Sequence, residues 1–223
     1  MPFMSKQISP SVLSADFGHL DQQISDVVAA GAQLLHLDIM DGNYVPNITF
    51  GPFIVKAIDA LSDVHLEAHL MIVDPDKYAP KFIAAGADTV LVHPSTCKDF
   101  EDTLRMIRDS GSRAGLVFNP DEQPELSDSQ LRLIDQILFM SVYPGFGGQQ
   151  FIPEVLATIS EWEPRLHDAG IQIEIDGGVN SETLDAIIPA GVDLFVAGSA
   201  VFNNRAPVGE NFSMLQRQLN AIS

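Results

Sequence analysis

One pattern recurs along this chain and limits its fold more than any other feature. Ala29-Ala30-Gly31-Ala32 runs into Gln33-Leu34-Leu35-His36-Leu37-Asp38, and Ala84-Ala85-Gly86-Ala87 into Asp88-Thr89-Val90-Leu91-Val92-His93. Pro189-Ala190-Gly191-Val192 likewise leads into Asp193-Leu194-Phe195-Val196-Ala197, with looser copies at Ser110-Gly111 and Ala169-Gly170. In each copy an amphipathic stretch ends at a glycine and an apolar, β-prone run follows. Glycine suits the left-handed residue just past a helix end, and continuous apolar runs mark strands buried on both faces.

The stretches between read as helices. Leu20, Ile24, Val27 and Val28 fall at helical spacing. Asp99-Phe100-Glu101-Asp102 opens a second helix with acidic residues where the dipole favours them, and Ser181-Glu182-Thr183-Leu184 starts a third. Segments near Ile8–Pro10, Val64–Leu70 and Gln136–Ser141 complete eight strands, whose starts lie roughly 22 to 35 residues apart, one strand-helix unit each. Eight such units predict an α/β fold, a closed (β/α)8 TIM barrel occupying residues 1–223 as one domain. An open doubly wound sheet is the alternative, and no GxGxxG follows the first strand to support it.

Twelve basic residues against thirty acidic ones leave a net charge of −18. Such a surface repels nucleic acid and anionic lipid, whose phosphates need clustered Lys and Arg. A phosphorylated ligand would therefore have to be held by local backbone N–H groups against an unfavourable global field. No apolar run approaches the roughly 18 residues of a membrane helix, and the opening MPFMSKQISP lacks a signal peptide's apolar stretch. The lone Cys97 cannot form an intramolecular disulfide. The expectation is a cytoplasmic protein with no nucleic-acid or membrane partner.

In a barrel of this kind the reactive groups sit at the C-terminal ends of the strands. His36 and Asp38 are two apart on one strand and so share a face; His69 ends the third strand and Asp176 the seventh. Two unpaired aspartates are expensive to bury unless a cation neutralises them. Two imidazoles and two carboxylates make a site for one divalent ion such as Zn2+, Fe2+, Mn2+ or Co2+. His93 ends the fourth strand before Pro94, shows no evident partner, and reads as a supporting or structural residue. His19, His65 and His167 read as structural too.

A second group of residues is rich in glycine. Gly145, Phe146, Gly147 and Gly148 follow the sixth strand, Gly177 and Gly178 the seventh, and Gly198 and Ser199 the eighth. Three such loops on adjacent strand ends point to a phosphate site built from backbone dipoles. Met40, Met71 and Met140 lie at or just past strand ends. Singly they read as core fillers; together they would wall the pocket with apolar surface that does not compete for the ion.

These residues carry a resemblance. Ile8-Ser9-Pro10-Ser11-Val12-Leu13-Ser14-Ala15-Asp16-Phe17, then His36-Leu37-Asp38-Ile39-Met40-Asp41-Gly42 running on to Asn47, His69-Leu70-Met71, Pro144 to Gln149, Asp176-Gly177-Gly178-Val179-Asn180 and Ala197-Gly198-Ser199-Ala200 appear in the order of the ribulose-phosphate 3-epimerase family. The resemblance covers essentially the whole chain. It implies a metal-dependent barrel that interconverts D-ribulose 5-phosphate and D-xylulose 5-phosphate. By position, His36, Asp38, His69 and Asp176 would be the ligands, and Asp38 and Asp176 also the proton-transfer pair. Ser11 and His69 would contact the substrate, a phosphorylated ketopentose, and the glycine loops would hold its phosphate. A homo-oligomer is expected, since barrels often associate through their outer helices.

Two positions depart from the family's pattern. Tyr143 stands before Pro144 where a polar or acidic residue is expected, and His93-Pro94-Ser95-Thr96 replaces a usual His-x-Glu. Among rivals, an epimerase of a ketohexose 6-phosphate such as allulose 6-phosphate would share the ligands and the aspartate pair. An imine-forming aldolase needs a lysine at a strand end, and Lys6, Lys56, Lys77, Lys81 and Lys98 lie elsewhere. Related decarboxylases need an Asp-x-Lys pair where Asp38-Ile39-Met40 stands. A barrel that only binds sugar phosphate is expected to have lost a ligand or one aspartate, and none is lost.

Overall fold

A computed structural model describes residues 5–222. Strands and helices alternate without exception: β1 (Gln7–Pro10), α1 (Leu20–Ala29), β2 (Leu34–Met40), α2 (Pro52–Asp59), β3 (His65–Met71), α3 (Pro75–Ile83), β4 (Thr89–Val92), α4 (Phe100–Asp109), β5 (Arg113–Phe118), α5 (Asp128–Leu131), β6 (Gln136–Met140), α6 (Val155–Asp168), β7 (Gln172–Asp176), α7 (Leu184–Ile187), β8 (Leu194–Ala197) and α8 (Val208–Ile222). The strands pair in parallel in the order β1-β8-β7-β6-β5-β4-β3-β2. One isolated parallel bridge, Ser11 to His36, joins β1 to β2 and closes the ring. The expected (β/α)8 barrel is the observed architecture. No helix among the described residues is long and apolar enough to cross a membrane.

The alternation along each strand sorts two cores. Leu35, Leu37 and Ile39 of β2, Leu66, Ala68 and Leu70 of β3, and Ile173 and Ile175 of β7 belong to one large apolar cluster with helix residues such as Ile24, Val27 and Leu104. The other face of each strand points into the barrel. There Leu91, Val117, Leu138, Met140 and Val142 form a separate apolar half, while β2, β3 and β7 contribute His36, Asp38, Glu67, His69 and Glu174, all buried. Register sets these side by side, with His36 opposite Glu67, Asp38 opposite His69 and Met140 opposite Asp176.

Helix ends follow local chemistry. The Asp99 carboxylate accepts from the Glu101 and Asp102 amides at the start of α4, as an N-cap does. The third expected helix begins later than the sequence pattern implies. Asn180 Oδ1 accepts from the Glu182 and Thr183 amides, so 181–183 form a turn and α7 starts at Leu184.

At the N-terminal face one device repeats. Asp88, Asp135 and Asp193 stand just before β4, β6 and β8, and their carboxylates accept from the amides of Leu66, Ala114 and Ile173 at distances of 2.9, 3.0 and 2.9 Å. Their carbonyls accept from Arg113, Gln172 and Gln7 on the strand beyond. Each aspartate thus ties three consecutive strands. Replacing Asp135 with Ala strands the buried Ala114 amide. The expected cost is about 1–2 kcal/mol, read as a shift in the chemical-denaturation midpoint with the m-value unchanged; an unchanged midpoint would remove this role.

Candidate active site

The ends of β1, β2, β3, β6, β7 and β8 open on one cavity of about 460 Å³. Its lining includes Ser11, Asp38 and Asp176, the three methionines Met40, Met71 and Met140, Gly145 to Gly148, Gly177, Gly178, Gly198 and Ser199. Those sequence candidates are therefore brought together. His36 and His69 are fully enclosed and do not line this cavity; they lie behind Asp38. The His69 ring lies between His36 and His93.

His36, Asp38, His69 and Asp176 each offer one donor atom, and the four lie within 4.8 Å of one another. His36 Nε2 is 3.3 Å from His69 Nδ1 and 3.4 Å from Asp38 Oδ1. Asp38 Oδ1 is 3.5 Å from His69 Nδ1, and Asp176 Oδ2 is 3.9 Å from His36 Nε2. Donors that share one tetrahedral ion at bond lengths near 2.0–2.2 Å stand about 3.3–3.6 Å apart. His36, Asp38 and His69 have that spacing, and Asp176 stands somewhat wider. The far side of three groups is engaged: Glu67 takes His36 Nδ1 at 2.8 Å, the Ser11 hydroxyl donates to Asp38 Oδ2 at 2.6 Å, and His69 Nε2 lies 3.0 Å from His93 Nε2. Electron-rich atoms are left converging, and the donor set fits a divalent cation of borderline softness.

The electrostatics are those of crowded like charges. Burial and then the Asp38 charge push Asp176 up to about 7. Burial works against ionised Asp38 as well, but the two histidines outweigh it and hold its carboxyl well below the usual range. Burial also opposes charge on His36, yet Asp38, Glu67 and Glu174 overcome it and raise its pKa. His69 and His93 are pushed down by burial.

A layer beneath the cluster escaped the sequence reading. Gln136 donates through Nε2 to Glu67 Oε2 and, at 2.8 Å, to Glu174 Oε2. Burial opposes the charge of Glu67, but His36 outweighs it and brings its pKa to about 2. Burial, reinforced by that charge, raises Glu174 well above the carboxylate range. A signal did exist: Glu67 and Glu174 stand two residues before His69 and Asp176, on the same strand faces. His93, which the sequence reads as a supporting or structural residue with no evident partner, is paired in the structure. It has partners on both ring nitrogens, His69 Nε2 at 3.0 Å and the Tyr44 hydroxyl at 2.9 Å. They were not legible because Tyr44 and His69 lie 49 and 24 residues away in sequence.

Two of the three glycine loops approach their neighbours more closely than a Cβ would allow. Gly177 has φ +122°, and a Cβ there would meet the Val142 backbone nitrogen at 2.8 Å; at Gly198 it would meet Ser14 Oγ at 2.5 Å. Asn47 of the β2–α2 loop donates to Gly145 O across the mouth. Tyr143 is exposed, and its carbonyl accepts from Gln149 Nε2 within the same loop. Arg205, which the sequence did not single out, is the one Lys or Arg lining the cavity among the described residues.

Known proteins agree with this layout. Residues 7–202 match the model of the ribulose-phosphate 3 epimerase family. The chain is 45% identical to the ribulose-phosphate 3-epimerase of Bacillus subtilis, covering 88% of this chain and 92% of that one. It is 47% identical to that of Synechocystis, covering 90% of each. Among solved structures it is similar to 3-keto-L-gulonate-6-phosphate decarboxylase from Vibrio cholerae (TM-score 0.67, 12% identity, 99% and 100% of the two chains). Phosphoribosyl anthranilate isomerase from Thermus thermophilus is comparable (TM-score 0.65, 16% identity, 97% and 100%); at such identities the likeness concerns the fold alone. With its fold, its converging side chains and these relatives taken together, the chain belongs to the ribulose-phosphate 3-epimerase family and is an isomerase of that kind.

Proposed function

We propose that the protein inverts carbon 3 of a ketopentose 5-phosphate, interconverting D-ribulose 5-phosphate and D-xylulose 5-phosphate, with Asp38 and Asp176 as the proton-transfer pair. The observation that carries the reading is the meeting of these two carboxylates at the floor of one cavity whose rim is built from glycine loops. The names of the relatives agree with the substrate.

Inverting a carbon beside a ketone means taking its proton from one face and returning one to the other. Asp38 reaches the cavity from β2 and Asp176 from β7, three steps apart around the wall, so a substrate between them is flanked by two carboxylates. Asp38, kept ionised by His36 and His69 and oriented by the Ser11 hydroxyl, removes the proton from D-ribulose 5-phosphate. Asp176, whose pKa burial and the Asp38 charge raise to about 7, delivers one to the opposite face; the reverse reaction exchanges the roles. His36, Asp38, His69 and Asp176 would hold a divalent ion (Zn2+, Fe2+, Mn2+ or Co2+), which when bound supplies Lewis-acid stabilisation of the negative charge that develops at the ketone oxygen. Met40, Met71 and Met140 exclude water from the reacting carbon. The amides of the Gly145–Gly148, Gly177–Gly178 and Gly198–Ser199 segments hold the phosphate, and Arg205 at the rim adds the one formal positive charge.

In D2O, metal-replete protein should convert D-ribulose 5-phosphate into xylulose 5-phosphate carrying deuterium at carbon 3, followed by proton NMR, and chelation should abolish it. Exchange that survives complete metal removal would retain the aspartate pair and discard the ion. Asp176→Asn and Asp38→Asn should each lose turnover by roughly 10³-fold or more, while a near-wild-type rate for either contradicts its assignment. For Arg205→Ala the expectation is a KM raised by roughly tenfold with kcat little changed; equal KM values would leave the phosphate to the backbone alone.

A further inference from the structure

An uncharged, apolar face lies beside the cavity mouth of a chain that is otherwise strongly acidic. Asp, Glu, Lys and Arg make up 19% of the residues, yet none stands between Gly42 and Val55. Within that run Ile48 is 75% exposed and Phe53 82%, while Phe17 and Val73, from the loops on either side, are 47% and 44% exposed. These are four of the eight large apolar side chains exposed among the described residues, and helices α1 and α3 to α7 expose none. Single exposed apolar residues need no explanation, but a contiguous group of them marks a contact surface.

The four residues are joined by local structure. Phe17 of the β1–α1 loop packs on Phe50 with ring centroids 5.7 Å apart, and Phe53 follows three residues on, in the first turn of α2. Asp41 pairs with Ile48 across the β2–α2 loop, and its carboxylate accepts from the Val73 amide at 2.9 Å, which draws the β3–α3 loop alongside. The same carboxylate accepts from the Asn43 and Tyr44 amides at 2.8 and 3.0 Å, and Gly42 N–H donates to Asn47 O at 2.8 Å. The loop that displays Ile48 is therefore tied into one shape before anything docks on it, and a preorganised surface loses little ordering entropy on association.

We propose that this face, formed by Phe17, Ile48, Phe53 and Val73, is where a second copy of the chain docks about a two-fold axis. Area and charge both favour that occupant. At roughly 150–200 Å² for each whole side chain, the exposed parts of the four come to about 450 Å². Apposing two copies removes on the order of 900 Å² from these residues alone, close to the ~1,000 Å² of a specific interface. Two chains of net charge −18 repel over most of their surfaces and can approach where neither presents charge. At the border stand one exposed ion of each sign, Lys56 one turn beyond Phe53 and Asp74 next to Val73, and neither has an ion-pair partner among the described residues. In a two-fold contact each copy offers the other the same surface, so a border with both signs can complement itself. A basic partner is better served by the acidic remainder of the molecule.

Sedimentation equilibrium of the full chain over a range of concentrations tests this. Wild-type protein is expected to associate, and Ile48→Asp and Phe53→Asp should each raise the dissociation constant roughly 30-fold or more. Both side chains are mostly in solvent, so the far-UV circular dichroism and the thermal unfolding of the dissociated variants should show folded protein. Met214→Asp, which places the same charge on an exposed apolar residue of α8, should leave association unchanged. Wild-type protein that stays monomeric at roughly 100 μM, near the weak limit of specific association, overturns the proposal and leaves the face to a different macromolecule. An assembly that survives both loop substitutions, or that Met214→Asp alone dissociates, places the contact elsewhere and overturns it as well.

Discussion

The bridge between Ser11 and His36 closes the barrel, and the site depends on that closure. Until β1 meets β2, the Ser11 hydroxyl has no reason to lie 2.6 Å from Asp38; until β7 is carried round by β8 and β1, Asp176 is a polar end on a distant strand. Closure forces four electron-rich donors into a space of one coordination sphere, in a low-dielectric interior where each is expensive to leave unpaired. Helix packing around the outside holds this crowding in place: the large apolar cluster spans the strands' outer faces and the helices, so the inner faces are free to be polar. Stability and chemistry are thereby assigned to opposite faces of the same strands.

They are also assigned to opposite ends. At the N-terminal face, Asp88, Asp135 and Asp193 use their carboxylates as strand ties. At the C-terminal face, Asp38 and Asp176 are held by neighbours that make their protonation unequal. The same side chain serves as a tie where backbone amides surround it, and has its pKa displaced where burial and neighbouring charges surround it. The acidic surface imposes a further condition on this end. Against a net charge of −18, the cavity is lined by glycine loops and by the Arg205 guanidinium, as the proposed phosphorylated substrate would require.

A layer of polar residues below His36 and behind His69 supports the four-residue cluster. Glu67, Gln136 and Glu174 form a buried amide-bridged carboxylate pair under His36, while His93, Tyr44 and Asn119 stand behind His69. One histidine thus leans on a carboxylate and the other on an imidazole and a phenol.

Much of this was legible in the linear chain. The repeated glycine-then-apolar pattern determines eight strand-helix units, since a helix end and a doubly buried strand have local signatures. The spacing of His36 and Asp38 determines that they share a face, because the period of a strand is two. The same rule applied to Leu-Glu-Ala-His and Ile-Glu-Ile-Asp places Glu67 and Glu174 on the inner face, although a charged residue within an apolar run is easily read as noise. The turn at 181–183 was misjudged because Asn180 can serve the backbone as well as a helix can. Only the tertiary structure decided what these residues touch: that His93 bridges His69 to Tyr44, that Asn47 reaches Gly145, and that Arg205 faces the cavity. Those contacts join segments 24 to 98 residues apart or depend on a loop's path. Propensity and periodicity act over a few residues, whereas such partners are chosen by the closure of the barrel as a whole.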